Sequence, residues 1–204
     1  MRIVDPLPLK GKLEIFVTKG TPKIKKGVDH IDFSGVEIID TIVENNIILA
    51  AGKNKTLHSL VTGFNKAICR MAIGDRGALP SDPTVPKVPN QKMTALYNEI
   101  YRSDLDDIIE TLSEDVHQIK FIKSFSALNV PTASFSNQAK PVVNEIGLVM
   151  CDLLSGTPLP RPDIAFPDKP LADEELFSIR CYKSVPFEAA NEIAITIRYT
   201  VFIE

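Results

Sequence analysis

Residues 193–203 read IAITIRYTVFI, and this stretch decides the fold class. Apolar side chains occupy every second position, at Ile193, Ile195, Ile197, Tyr199, Val201 and Ile203. Apolar residues with a period of two are typical of a β-strand that buries one face. An exposed apolar strand edge promotes uncontrolled association, so we expect this strand to be paired, partly by a strand of another chain.

Further strands are predicted upstream of this stretch. Residues 119–127 place Ile119, Phe121 and Phe125 on one face of an extended segment and lysine and serine side chains on the other. Continuous apolar runs predict strands at residues 67–73, 142–151 and 176–182. Most of the chain should therefore be β-structure.

Helical spacing of apolar residues appears mainly in one place. Residues 44–62 carry Ile47, Ile48, Ala51 and later leucines near that spacing, which predicts one or two short helices ending at Gly63. Residues 94–112 fit either a helix or broken strands. We expect an α+β fold, mainly β: a small antiparallel β-sandwich-like domain with one or two short helices.

Two regions are rich in residues that interrupt regular structure. Residues 1–40 mix short apolar runs with Lys, Gly and Pro, which predicts an extended N-terminal arm before a single β-rich assembly domain at residues 41–204. Prolines at 80, 83, 86 and 89 match the three-residue turn of polyproline II, so residues 80–89 should stay outside any sheet, as a surface spacer or in a neighbour's groove. Residues 158–170 form a second proline-dense connection.

Composition limits the class of partner. The 204 residues are 44% hydrophobic and 24% charged, which is typical of a folded globular protein. The net charge of −3 provides no basic surface for a polyanion, so we expect no nucleic-acid partner. We find no secretory signal and no apolar run long enough to cross a bilayer, so we expect no membrane partner and synthesis in the cytoplasm.

The histidines and cysteines do not form a recognisable site in the sequence. His30, His58 and His117 are far apart and lack metal-ligand spacing, so we expect surface or hydrogen-bonded histidines. The three cysteines lie in separate apolar segments, where we expect buried, reduced thiols, at Cys69, Cys151 and Cys181.

Two other motifs invite comparison with phosphate-binding and calcium-binding loops. Gly74-Asp75-Arg76-Gly77 lacks the Lys-Ser/Thr of a phosphate-binding loop and predicts a tight turn. An acidic cluster lacks the frame of a calcium loop and predicts a solvated charged face, at Asp104, Asp106, Asp107 and Glu110. We expect no catalytic residue, no cofactor site and no metal site, and hence a protein that is not an enzyme.

Four segments in order resemble a known family. After the predicted helix come AICRMAIGDRGALPSDPTVP (67–86), TALYNEIYR (94–102), FIKSFSA (121–127) and VVNEIGLVM (142–150). This order resembles the N-terminal region of the tail-collar fibre proteins of tailed bacteriophages and covers roughly residues 42–150. The matching positions are residues 72–75, Thr94, Leu96, Asn98, Glu99, Arg102 and residues 145–148. The segment at residues 177–204 also resembles the close of virion structural proteins of large contractile-tailed phages.

The resemblance implies a virion structural protein that works by protein–protein assembly in the tail, baseplate or fibre attachment. The family's fibre proteins continue into a repetitive shaft, whereas this sequence stops at Glu204, so we expect an adaptor or collar piece. Partners would be other virion subunits, and we expect a homo-oligomer. Alternatives are a neck or collar protein at the head–tail junction and a carbohydrate-binding host-recognition module. Against the latter, the chain has no Trp and four Tyr.

Overall fold

In the computed structural model, the strand at residues 193–203 lies inside an 11-stranded sheet whose pairings are antiparallel. The structure describes residues 9–62, 66–112, 117–154, 157–158, 164–165 and 174–203. The expected mainly β fold with a minor helical part is confirmed. Within the described residues, no helix has both the length and the apolar character needed to cross a membrane.

The elements follow in chain order. The strands are β1 (Leu9–Lys19), β2 (Lys23–Ile24), β3 (Ile31–Asp32), β4 (Glu37–Ile48), β5 (Lys66–Gly74), β6 (Ala78–Leu79), β7 (Asp82–Pro86), β8 (Glu99–Asp104), β9 (Asp107–Leu112), β10 (His117–Ser126), β11 (Val142–Leu154), β12 (Thr157–Pro158), β13 (Ile164–Ala165), β14 (Glu174–Pro186) and β15 (Ile193–Ile203). Helix α1 (Ala50–Thr62) follows β4, and single 3-10 turns occur at Thr132–Ser134 and Ala189–Asn191.

The large sheet consists of two halves joined by β4. Its order is β13-β8-β5-β11-β14-β4-β1-β15-β10-β9, with β12 paired to β11. Strand β4 pairs with β1 through residues 37–46 and then with β14 through Ile47 and Ile48. One strand therefore belongs to both halves. The strand pairs β2–β3 and β6–β7 form separate two-stranded ribbons.

Side chains from both halves form one apolar core. Leu13 and Ile15 of β1 and Met71 and Ile73 of β5 are buried in the same cluster. Across the gap between the halves, the ring of Tyr101 on β8 meets that of Phe125 on β10 edge-on, with centroids 6.3 Å apart. Burial of each such side chain contributes about 1.5–3 kcal/mol to folding. The halves face each other as the layers of a sandwich do.

Strand β15 is paired on both edges within the chain. Its neighbours are β1 over residues 9–19 and β10 over residues 118–126. The predicted strand is confirmed, and so are those at 67–73, 142–151 and 176–182; the strand predicted at 119–127 ends one residue earlier, at Ser126. The expectation that another chain supplies part of the pairing of β15 is wrong, because β1 and β10 of the same chain pair with its two edges.

The arm expected at residues 1–40 is wrong for the described residues 9–40. Strand β1 lies between β4 and β15 in the sheet, and its inward side chains Leu13, Ile15 and Val17 are buried. These three residues have a period of two, which outweighs the neighbouring Lys and Gly that suggested an arm. Residues 1–8 lie outside the described residues, and the single-domain expectation for 41–204 remains a prediction.

Helix α1 accounts for the second part of the predicted helical region. Residues 50–62 are helical, whereas residues 44–48 belong to β4, and Gly63 lies outside the described residues. The helix lies close to β14 at Gly52. A Cβ atom added to Gly52 would be 2.6 Å from the ring of Phe177 and 2.7 Å from the backbone carbonyl oxygen of Phe177. Glycine there permits the close approach of helix and strand.

The ambiguous and proline-rich regions form strands. Residues 94–112 include β8 and β9, so the broken-strand alternative holds. The expectation that residues 80–89 stay outside any sheet is wrong for 82–86, where β7 pairs with β6. A two-stranded ribbon accepts proline because its outer edge needs no donor. In the second proline-dense connection, residues 159–163 and 166–170 lie outside the described residues.

Candidate functional site: a buried polar cluster and an open apolar cavity

Glu145 on β11 is the centre of a buried polar cluster. Its side chain is fully buried. One carboxylate oxygen accepts the backbone N–H of Arg76 at 2.8 Å and of Asn98 at 3.0 Å, and the other accepts that of Tyr97 at 2.6 Å. A carboxylate that accepts several main-chain N–H groups holds those segments in place. Glu145 thereby joins β11 to the turn after β5 and to the segment before β8.

Asp75 and Asn144 extend the cluster. Asp75 accepts the Asn98 side-chain amide at 2.7 Å and the backbone N–H of Ser136 at 2.6 Å. Asn144 accepts the backbone N–H of Gly77 at 2.6 Å and donates to the carbonyl of Asp75 at 3.3 Å. Where a tight turn was predicted at residues 74–77, the structure has the end of β5 followed by bends at Asp75 and Gly77. Residues 74–77 are held by side chains on three separate segments.

Two glycines let the turn approach its neighbours. At Gly74 an added Cβ would lie 2.5 Å from the carbonyl oxygen of Asn98. At Gly77 it would overlap the carbonyl oxygen of Asn144 and the side chain of Glu145. Glycine is therefore needed at both ends of the turn for steric reasons.

Burial dominates the electrostatics of this cluster. The pKa of the Glu145 carboxyl is raised by burial, although the three N–H donors oppose the shift. The pKa of the neighbouring Tyr182 hydroxyl is raised well above its ordinary value by the same cause. Both carboxylate oxygens of Glu145 accept hydrogen bonds from main-chain N–H groups. This geometry fits a side chain that holds backbone segments together better than one that transfers a proton to a substrate.

A second buried polar cluster is built around Arg102. Arg102 is one of the positions that match the tail-collar fibre proteins. Its guanidinium donates to Glu99 at 2.8 Å and pairs with Glu174, which also accepts from Arg70 at 3.2 Å. Arg70 and Glu174 have no exposed side-chain surface. Burial raises the pKa of Glu99. The network links β5, β8 and the start of β14 through these ion pairs. Separating the strands, or removing one member, would leave an uncompensated buried charge.

Three of the acidic residues between positions 104 and 110 contact different partners. Asp104 pairs with Arg70 at 3.1 Å, Asp106 accepts from Lys123 at 2.8 Å, and Asp107 accepts the backbone N–H of Gly27 at 2.9 Å. Glu110 is exposed, whereas these three are partly buried. The described residues contain no group of three or more His, Cys, Asp or Glu that would hold a metal ion. His30 and His117 are exposed; the side chain of His58 lies outside the description.

Two of the three cysteines differ from expectation. Cys69 on β5 and Cys151 on β11 form a disulfide, with Cα atoms 6.1 Å apart, so the prediction of reduced thiols is wrong for this pair. A register shift in the β5–β11 pairing brings them into reach. Cys181 is free and buried, as predicted, and burial raises its pKa to about 12.

An open cavity, here called the β9 cavity, lies between the two halves of the sheet. Its volume is about 540 Å³. One side is formed by β9, β10 and β15, and the other by α1, β5, β11 and β14. Apolar side chains dominate the lining, among them Ile68, Ile108, Leu112, Ile119, Phe121 and Met150. Sequence reasoning missed it, because the lining is contributed by strands that are distant in the chain.

Comparison with models of known protein families found no match, and comparison with curated protein sequences found none either.

Proposed function

We propose that the chain is a structural subunit of a tailed-phage particle, in the tail, the baseplate or the neck, and that it works by binding neighbouring subunits. One observation carries the proposal. Asp75, Asn98 and Glu145 lie in three of the four segments that resemble tail-collar fibre proteins, and hydrogen bonds bring those segments into one cluster. The residues that carry the resemblance are thus also in contact in the structure, which supports the proposal.

The two buried polar clusters also suit a subunit that must keep one fixed shape. The cluster of Glu145 and the ion-pair network of Arg102 each fix three segments of chain with charged, buried groups. Such groups favour one arrangement of the backbone over others, although they contribute little net stability. A rigid body with fixed loops is what an assembly protein needs to present matching surfaces to its neighbours.

Mass spectrometry of density-gradient-purified particles tests the proposal. The particles must come from a lysate in which the gene is expressed, and a non-structural phage enzyme serves as the control for carry-over. We expect peptides of this chain at a fixed ratio to known tail proteins, while the control enzyme is depleted. Depletion of this chain together with the enzyme would overturn the proposal.

A further inference from the structure

Strand β9 is the last strand of the large sheet. It pairs with β10 along residues 107–112, and no strand in the described part of the chain pairs with its outer edge. An unpaired edge presents backbone N–H and C=O groups that can pair with an added strand. The edge specifies the shape of an occupant, because only an extended backbone can match its hydrogen-bonding groups.

The inward face of β9 carries two exposed apolar side chains. Ile108 is 42% exposed and Leu112 68% exposed, although both line the β9 cavity. The register pairs them with Phe121 and His117 of β10, so they lie on the face that points toward the opposite half of the sheet. Edge and apolar face are thus next to each other. A strand added to β9 would direct alternate side chains into the cavity.

Charge specifies the occupant further. Glu110 lies between Ile108 and Leu112 on the same face, is exposed, and also lines the cavity. Opposite charges on directly facing strand positions are favourable, whereas like charges are unfavourable. The matching segment has apolar residues opposite Ile108 and Leu112 and a basic residue opposite Glu110.

We propose that the free edge of β9 and the β9 cavity together bind an extended segment of a neighbouring subunit, with the alternating pattern apolar, basic, apolar. This inference rests on the proposed function, since it names the surface through which assembly occurs. The added segment extends the sheet by one strand and fills the gap between the two halves.

Peptide binding to the purified chain tests this. The probe is a fluorescein-labelled ten-residue peptide of alternating Thr and Val with Lys at the central Val position, and the comparison peptide has Glu there. By fluorescence anisotropy we expect the Lys peptide to bind at least tenfold more tightly. Glu110→Lys should reverse the preference. Equal binding of both peptides, or an unchanged preference in E110K, would overturn the proposal.

Matched variants locate the binding. Leu112→Ser should weaken binding of the Lys peptide at least tenfold, while Val43→Ser on β4, where Val43 is 57% exposed, should leave it unchanged. Both positions are exposed, and circular dichroism checks that each variant is folded. Equal losses in the two variants would contradict the assignment. Binding of dodecanoate to the cavity without binding of either peptide would identify a small-ligand site and overturn strand addition.

The two proposals fail separately. A chain that is present in particles but binds no peptide would refute strand addition and leave the structural role intact. A chain that binds the Lys peptide but is absent from particles would refute the role in the virion.

Discussion

At the scale of single residues, Glu145 illustrates how a buried charge organises backbone. Three main-chain N–H groups from two segments donate to one carboxylate that has no exposed surface. Two of those donors lie one residue apart, at Tyr97 and Asn98, and the third is in the turn at residues 74–77. Loss of the negative charge weakens the acceptor that three partly buried backbone N–H groups share, which is costly.

Glu145→Gln is expected to lower the free energy of unfolding by about 1–3 kcal/mol, because the amide NH₂ would face a backbone donor and leave it unpaired. Urea denaturation measures the change. Glu37→Gln on β4, where the side chain is exposed, is the matched control and should shift the midpoint little. Equal stability of the two variants would show that the carboxylate is not required.

The cysteines give a second prediction at this scale. Cys181 is 1% exposed and its pKa is raised by burial to about 12, so iodoacetamide at pH 8 should not label the native chain. In denaturant one thiol should react without reductant and three should react with it, since Cys69 and Cys151 are disulfide-bonded. Mass spectrometry counts the labels. Three labels without reductant would contradict the disulfide.

At the scale of elements, the turn at residues 74–77 depends on glycine. Gly77→Ala would place a Cβ against Asn144 and Glu145, whose positions are fixed by hydrogen bonds. We expect destabilisation of roughly 1–3 kcal/mol, as for overpacked interiors, measured as a lower thermal midpoint. Ser81→Ala in the adjacent exposed turn controls for substitution in the loop. A midpoint equal to that of the control would argue against the tight approach.

Five of the long strands could be predicted from the sequence, and the failures among the others have physical causes. Strand β15 and β10 alternate clearly, and β5, β11 and β14 are continuous apolar runs. The sequence prediction for β1 was wrong because its inward face has only three buried apolar side chains, at Leu13, Ile15 and Val17, and Gly11 on the same face adds none. The motifs around Asp75, Asn98 and Glu145 were visible in the sequence, but their contact was not, because it depends on the pairing of strands far apart in the chain.

At the scale of the whole molecule, the disulfide closes a long loop. Cys69 and Cys151 are separated by 82 positions and join neighbouring strands β5 and β11. In the chain-entropy treatment, a loop of this length stabilises the fold by about 4.5 kcal/mol. Sequence could not predict this pair, since three cysteines allow several pairings and only the sheet order brings these two together.

The double variant Cys69→Ala, Cys151→Ala should therefore unfold at a clearly lower urea concentration than the parent chain. Its free energy of unfolding should be lower by up to about 4.5 kcal/mol. Addition of a strong reductant to the parent chain should produce a similar loss and should leave the double variant unchanged. Cys181→Ala is a control for the removal of a buried cysteine. A parent chain insensitive to reductant would show that the disulfide does not contribute.

The unpaired edge of β9 leaves one side of the molecule open. The two halves of the sheet are joined by β4 on one side, while at β9 the sheet ends beside the cavity of about 540 Å³. A closed sandwich would bury Ile108 and Leu112, which are exposed here. The proposed strand addition would cover these two side chains, and the peptide experiments above address that surface.

Immunogold labelling of intact particles with antibodies to this chain tests the central claim most directly. The account predicts gold at the tail, the baseplate or the neck, and none on particles that lack the gene. Gold confined to the head, or an equal density of gold on both kinds of particle, would contradict the assignment of this chain to the tail or neck.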